Sequence, residues 1–366
     1  MTRAIKMFLL ACVCGLCLTD CRKKEVTDQT GRLTVAVIPK GTIHEFWKTV
    51  HAGAEMAGQE LNVQILWKGS LQEDDREAQI AVVENIITRN VDGIVLAPLD
   101  DAALRRPVDE AMRSGIPVVI FDSGLQGENY ISYVATDNFK AGQRAGEYMA
   151  KLLNGKGKVA VLRYAEGSHS TTQREDGFLD ALKAFDGIEI VASNQYAGAS
   201  TEGALKAAEN LLARFGGTTG SLQIDGIFCA TEPTTLGILR ALQNAGYAGK
   251  VRFVGFDSSE KMIAALRAGE LDGFVVQNPL QIGYLGVKTL VQHLRGEAVP
   301  RRIDTGSILV TGQNLDDPHI QELLDVARAS CPRFKGVPPS TRRKPFPEQP
   351  SAFGHVLACV KRWNRV

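Results

Sequence analysis

The sequence predicts an α/β fold of two similar lobes, each a parallel β-sheet wrapped by helices. Three observations carry this. Short, β-branched apolar runs alternate with amphipathic segments from Leu33 to about Ala329, and strands alternating with helices of about 10–15 residues imply βαβ units and a parallel sheet. The runs are apolar on both faces, as strands buried on both sides are. The order of elements then repeats, and halves of about 130 residues each suit the usual size of a domain.

The organising stretch is Arg32 to Glu60. Leu33–Ile38 is a buried strand, Pro39, Gly41 and Thr42 break it, and Glu45, Trp47, Val50, Ala54 and Ala57 continue at helical spacing. A strand handing over to a helix through a loop that carries Phe46-Trp47 is a place for a ligand, because in open α/β sheets ligands sit outside the carboxyl ends of the strands. Further strands are expected at Val63–Leu66, Gly93–Leu96, Val118–Phe121 and Tyr133–Ala135, with helices at Phe46–Glu60, Asp75–Arg89 and Ala103–Ser114. Gly115-Ile-Pro117 and Val91-Asp-Gly93 punctuate the helix-to-strand joins. In the second half the strands are Val159–Leu162, Glu189–Ala192, Gly226–Ala230, Val251–Phe256 and Gly273–Gln277. The helices are Thr172–Phe185, Ser200–Phe215, Thr234–Asn244, Ser259–Arg267 and Gln281–Arg295. Two such lobes joined by short crossovers could close on a ligand like a hinge.

The chain has 366 residues, 44% of them hydrophobic, and a formal net charge of +1, a globular composition with no electrostatic footprint for nucleic acid. No apolar run reaches the roughly 18 residues that a membrane span needs. Arg3 and Lys6 form a basic region ahead of the apolar stretch Met7–Leu18, as in an export signal. Leu18-Thr-Asp-Cys21 resembles a bacterial lipoprotein signal, with Cys21 lipidated after cleavage. Asp20 departs from the small residue such a motif carries, which leaves Cys12, Cys17 or plain export open. Residues 1–21 are therefore expected to be a signal peptide and 22–31 a tether. The body is placed in the periplasm or at the extracytoplasmic membrane face, held to the membrane only by a lipid anchor. Residues 330–366, with six prolines, eight Lys or Arg and one acid after Ser330, read as a basic, loosely attached tail. The cysteines of the body, Cys229, Cys331 and Cys359, lack zinc-site spacing, and nothing implies a metal or a cofactor. Cys229 reads as a small buried hydrophobe.

Several motifs carry a resemblance. Glu45-Phe-Trp47, Asp92-Gly-Ile-Val-Leu-Ala-Pro98, Gly115-Ile-Pro-Val-Val-Ile-Phe-Asp122, Thr136-Asp-Asn138, Arg174-Glu-Asp-Gly-Phe178, Val254-Gly-Phe-Asp257 and Gln277-Asn-Pro-Leu-Gln-Ile-Gly283 are together similar to the type I periplasmic sugar-binding proteins, the ribose-binding class, whose lobes the lactose-repressor family shares. The chain carries no helix-turn-helix head, and its export signal points away from a repressor. The resemblance implies two Rossmann-like lobes joined by a multi-crossover hinge, residues 32–136 with 278–306 and residues 137–277 with 307–329. It also implies a monomer that binds a sugar or polyol and delivers it to an ABC permease. A ligand sensor that presents its closed form to a receptor or kinase is the alternative. A glycosidase-like enzyme using Asp122 and Asp257 is a remoter one. Gly155-Lys-Gly-Lys158 is not a P-loop, and no Gly-x-Ser-x-Gly elbow occurs.

Carried over residue by residue, the resemblance places Lys40, His44, Phe46, Trp47, Asp122, Ser123, Thr172, Arg174, Thr231, Asp257 and Gln277 at the ligand. Aromatic faces suit the C–H face of a sugar, and carboxylates and guanidinium groups suit its hydroxyls. Phe46 and Trp47 also read as helix core, but neighbours cannot both face one side of a helix. Lys40 and His44 stand where neutral-sugar binders carry Ser or Asn, which suggests a modified or acidic sugar; a solvated lysine and a capping histidine are the other reading. Ser123 replaces a pocket Arg, and Thr231 replaces Asn, with Glu232 beside it. His169, Ser170 and Thr171 precede Thr172 in what reads as a loop. Gly198-Ala-Ser200 lacks the stacking aromatic of many relatives, so the pocket is expected to be open there or to suit a bulkier ligand.

Overall fold

The computed structural model describes residues 31–89, 91–216 and 222–329. The expected signal peptide with Cys21, the tether up to residue 30 and the tail from residue 330 lie outside the described residues.

The first sheet is built from β1 (Thr34–Ile38), β2 (Gln64–Trp67), β3 (Gly93–Leu96), β4 (Val118–Phe121), β5 (Ser132–Ala135) and the late strand β11 (Arg302–Asp304). Its spatial order is β11-β5-β4-β3-β1-β2, with every pairing parallel. Helices α1 (Glu45–Leu61), α2 (Arg76–Ile87) and α3 (Arg105–Arg113) connect its early strands. The second sheet repeats the plan. It holds β6 (Lys156–Arg163), β7 (Gly187–Tyr196), β8 (Gly226–Cys229), β9 (Arg252–Phe256), β10 (Gly273–Gln277) and β12 (Ser307–Thr311). The order is β12-β10-β9-β8-β6-β7, with only β12 antiparallel. Its helices are α4 (Asn138–Leu152), α5 (His169–Leu182), α6 (Thr201–Phe215), α7 (Glu232–Asn244) and α8 (Glu260–Arg267), followed by α9 (Pro279–Leu294) and α10 (Pro318–Ala329).

Alternation along each strand feeds two cores. Val35 and Val37 of β1 face α1 and α9, while Ala36 and Ile38 face α2 and α3. In the second lobe Val159 and Val161 face α4 and α5, and Ala160 and Leu162 face α6, α7 and α8. Helix α9 thus follows a strand of the second sheet but packs on the first, and α4 does the reverse. The chain crosses between the sheets after β5, after β10 and between β11 and β12. The crossovers are bonded to one another: Thr136 Oγ1 donates to Gly306 O (3.2 Å), and Asp137 N–H to Asp304 Oδ1 (2.9 Å).

One local device recurs. An Asp-Gly pair opens β3, β8 and β10, and each Asp takes a backbone N–H of the neighbouring strand. Thr34 donates to Asp92 (2.6 Å), Lys158 to Asp225 (2.7 Å) and Phe253 to Asp272 (2.8 Å). These bonds fix register at the amino ends of the strands, opposite the ends where ligands sit in such sheets.

The strands and helices expected from the sequence are present, with ends displaced by a few residues. The sequence predicts no helix at α4, whose buried face joins Ala141, Gly142, Ala145, Gly146 and Ala150 to Asn138 and Met149, mostly small residues with little hydrophobic contrast. Nor does it predict strands β11 and β12 or helix α10. Helix α5 begins at His169, so His169 to Thr172 form its first turn, where a loop was expected.

Candidate functional site

A cleft lies between the carboxyl ends of the two sheets and is lined by residues of both lobes, the place where ligands sit in open α/β sheets. The order β2-β1-β3 and its repeat β7-β6-β8 make β1 and β6 the switch points, where adjacent connections leave in opposite directions and open a crevice.

The loop after β1 and the first turn of α1 supply Lys40, His44, Phe46 and Trp47. Trp47 belongs to the lobe core and also lines the cleft: it is 2% exposed, its ring meets Phe121 and Phe46 edge-on, and its Nε1 donates to Glu73 Oε1 (2.8 Å). Phe46 is half-buried beside it, so the two expected roles of the pair, core and cleft wall, are both filled. His44 stands 3.7 Å from Glu73 and makes no side-chain cap to α1.

Asp122 follows β4, and Asp257 follows β9. Both have positive φ, 60° and 62°, a conformation that Asp tolerates better than most residues. Arg174 is buried; its Nε donates to Asn138 Oδ1 (2.7 Å) and its Nη1 to Ala230 O (2.9 Å). Its guanidinium stacks on Phe256 and stands 3.9 Å from Asp257. Its sequence neighbours Glu175 and Asp176 pair with Arg163, at 2.9 and 3.3 Å. Gln277 donates to Asp257 Oδ1 (2.7 Å). Thr231 N-caps α7 by position, and its hydroxyl pairs with Thr234 (2.8 Å).

Lys40 crosses the gap between the lobes. It is 3% exposed, donates to Ser168 Oγ (3.0 Å) and Ser170 Oγ (3.1 Å), and lies 3.9 Å from Asp122. Tyr164 donates to Glu73 Oε2 (2.8 Å), Asp101 N–H to Gly167 O (2.9 Å), and Ser170 N–H to Ser123 Oγ (3.2 Å). All join the two lobes, so the cleft is drawn shut. Burial dominates the electrostatics. It pushes Lys40 below the ordinary lysine range against the pull of Asp122. It raises Asp122 to about 6 against Lys40 and Arg174, and raises Asp257 against Arg174 and Gln277. Glu232, next to Thr231, is raised to about 8 by burial and by the acids Asp257, Glu45 and Glu73.

Nine of the residues carried over from the sequence line this one cleft; Ser123 and Thr172 do not. Ser123 is buried behind Ser170, and Thr172 is half-buried on α5. Glu73, Tyr164, Ser170, Thr171, Glu232 and Pro233 line it as well. Glu73 lies in an irregular acidic loop with no periodic signal. Tyr164 was recoverable from the internal repeat, since it follows β6 as Pro39 and Lys40 follow β1. Gly198 donates its N–H to Tyr164 O (2.9 Å), so an aromatic does line the cleft, from the strand end next to the stretch that lacks one.

The profile of the periplasmic binding protein domain matches residues 35–298. The D-allose-binding periplasmic protein of Escherichia coli is 31% identical over 274 residues, 72% of this chain and 86% of that one. A carbohydrate transporter solute-binding protein of Agrobacterium radiobacter, crystallised with D-arabinose, superposes with a TM-score of 0.75 at 33% identity, covering 80% of this chain and 98% of that one. An ABC transporter solute-binding protein of Agrobacterium vitis with bound D-fucose gives 0.74 at 37% identity, covering 79% and 98%. With its two-lobed fold, its interlobe cleft and this match over most of its described length, the chain belongs to the periplasmic binding protein family.

Proposed function

We propose that the protein captures a sugar or sugar-like polyol between its lobes, outside the cytoplasm, and presents the closed form to the permease of an ABC importer. The observation that carries this reading is the pair Asp122 and Asp257, one from each lobe, facing one cleft. Two opposed carboxylates, the Arg174 guanidinium and the Phe46–Trp47 wall match a small ring that offers hydroxyls at its rim and C–H groups on its face. The relatives named above support it, since their own ligands are sugars.

In this reading residues 32–136 with 278–306 move as one lobe and 137–277 with 307–329 as the other. A ligand that touches both favours the closed arrangement by its differential affinity. The protein acts as a monomer, and Cys21 carries the lipid that holds it at the membrane. The family is one of transporter binding proteins, not of enzymes, so Asp122 and Asp257 serve to accept hydroxyl donors.

The test is thermal-shift screening of the purified protein against pentoses, hexoses, polyols and sugar acids, followed by calorimetry on the hits. A ligand bound only by the folded state raises the melting temperature. The reading fails if no compound of these classes, or of their amino derivatives, shifts it.

A further inference from the structure

Acidic side chains predominate in the cleft. Glu73, Asp122, Glu232 and Asp257 line it, with the basic side chains Lys40, His44 and Arg174. Lys40 and Arg174 are both committed. Lys40, which in the sequence suggested a modified or acidic sugar, is held by Ser168, Ser170 and the Asp122 carboxylate. Arg174 is bonded to Asn138 and Ala230, stacked on Phe256 and close to Asp257. Glu73 is occupied by Trp47 and Tyr164.

What is left over is an acceptor surface. Among the described residues lining the cleft, two buried side-chain atoms take no hydrogen bond, Glu232 Oε2 and Gln277 Oε1. Both residues flank Asp257: Gln277 donates to its Oδ1 at 2.7 Å, and the Glu232 backbone N–H donates to its carboxylate. Glu232 is only 7% exposed. A buried carboxylate oxygen without a donor is costly, and an amide oxygen beside it asks for the same partner. A hydroxyl offers one donor and no charge; an ammonium group offers three donors and a positive charge.

We infer that the cleft is built for an amino sugar or a comparable polyhydroxylated amine, with its ammonium group placed against Glu232, Gln277 and Asp257. This rests on the proposed function and narrows it. A neutral sugar would offer a donor but no charge to draw the proton off Glu232, and an acidic one would set a further carboxylate beside Glu232 and Asp257.

The test is calorimetry on the whole protein with D-glucosamine, D-galactosamine, their neutral parents and the corresponding uronic acids, at pH 6.5. An amino sugar should bind at least about tenfold more tightly than its parent, the scale of one charge-assisted contact. In Glu232→Gln the ratio of the two affinities should fall toward one, with the variant's fold checked by its melting curve. Ammonium binding should also expel a proton. Glu232 titrates near 8 in the empty cleft, faced by Asp257, Glu45 and Glu73, with Lys48 opposing. It therefore carries a proton at pH 6.5 and gives it up to the approaching cation. The binding heat should then vary with the ionisation heat of the buffer, with about one proton released. Neutral sugars or uronic acids binding as tightly as amino sugars would overturn this inference and leave the proposed function standing, as would a ratio unmoved by Glu232→Gln. If no compound binds, neutral, acidic or amino, the proposed function falls and this inference with it.

Discussion

Asp122 and Asp257 occupy the same place in the two lobes. Each is the residue after the fourth strand of its lobe, each has φ near +60°, and each donates its backbone N–H to the next strand, to Val134 O at 2.9 Å and to Val275 O at 2.8 Å. The left-handed turn ends the ladder and tips the carboxylate out of the sheet toward the opposite lobe. The repeat therefore places a matched pair of carboxyl groups at one cleft.

This separates charge from backbone. Asp257→Asn keeps a side chain that tolerates positive φ, whereas Asp257→Ala adds left-handed strain of about 1–2 kcal/mol. The Asn variant should melt close to the wild type and bind ligand roughly 10- to 100-fold more weakly, the loss of a hydrogen bond to a charged group, about 1.5–3 kcal/mol. The Ala variant should lose both stability and affinity. Calorimetry and melting curves on the two variants check this; an unchanged affinity in both removes Asp257 from the site.

Why these acids were legible in the sequence, and other residues of the cleft were not, follows from how each is placed. Asp122 and Asp257 directly follow two of the expected strands, and the family resemblance carries both to the ligand. Trp47 sits at the start of a helix whose spacing is plain. Glu73 reaches the cleft from an irregular loop, and only the folded chain shows it bonded to Trp47 and Tyr164. Helix α4 escaped because most of what it buries is Ala and Gly, with Met149 the one large apolar side chain among its buried residues, and periodicity responds chiefly to large apolar side chains. The crossover strands β11 and β12 are short and half-exposed, so they carry little alternation. The first turn of α5 reads as a loop because Ser170, Thr171 and Thr172 are weak helix formers; in the fold Ser170 and Thr171 line the cleft.

Tyr164 and Glu73 predict the balance between open and closed forms. Their 2.8 Å bond joins the lobes beside the cleft. Tyr164→Phe removes it and keeps the ring, so the closed form loses a hydrogen bond to a charged group. Ligand affinity should fall by about tenfold or more. Small-angle scattering of the ligand-free variant should give a radius of gyration at or above that of the wild type. A more compact variant with unaltered affinity would show that the pair does not hold the lobes together.

Buried carboxyls set a pH dependence. Glu175 titrates near 7 and Glu232 near 8, each raised chiefly by burial. Between pH 6.5 and 8.5 the folded protein still holds protons that the unfolded chain has released, so stability must fall as pH rises through this window. His169, lowered by burial, opposes this fall near its ordinary value of 6.5, where the unfolded chain holds more of its proton than the fold does. Lys40, also lowered, works the same way toward its ordinary value of 10.5. Melting curves of the ligand-free protein should therefore drop by a few degrees from pH 6.5 to 8.5, and by more in Lys40→Met, where the opposing amine is gone. A flat or rising profile in both proteins would mean that these carboxyls are not buried as described.

The last prediction links packing to the site. In each lobe two helices cross at paired glycines. A Cβ on Gly53 would lie 2.0 Å from Leu280 O, and one on Gly283 2.0 Å from Val50 O, where α1 meets α9. In the second lobe a Cβ on Gly142 would lie 2.0 Å from Arg174 O, and one on Gly177 2.1 Å from Phe139 O, where α4 meets α5. The obstacles are backbone atoms, so a rotamer change cannot relieve them and the helices must part. Overpacking of this kind costs at least about 1–3 kcal/mol, a fall of several degrees in melting temperature. Because the carbonyl that Gly142 faces belongs to Arg174, Gly142→Ala should also displace the guanidinium from Asn138, Ala230 and Phe256. It should weaken ligand binding although residue 142 does not line the cleft. Gly246→Ala, at a helix end with open space around it but a positive φ of 71°, should destabilise through backbone strain alone and leave affinity intact. Equal loss of affinity in both variants would place the effect in general instability; a loss confined to Gly142→Ala would trace it to the seat of Arg174.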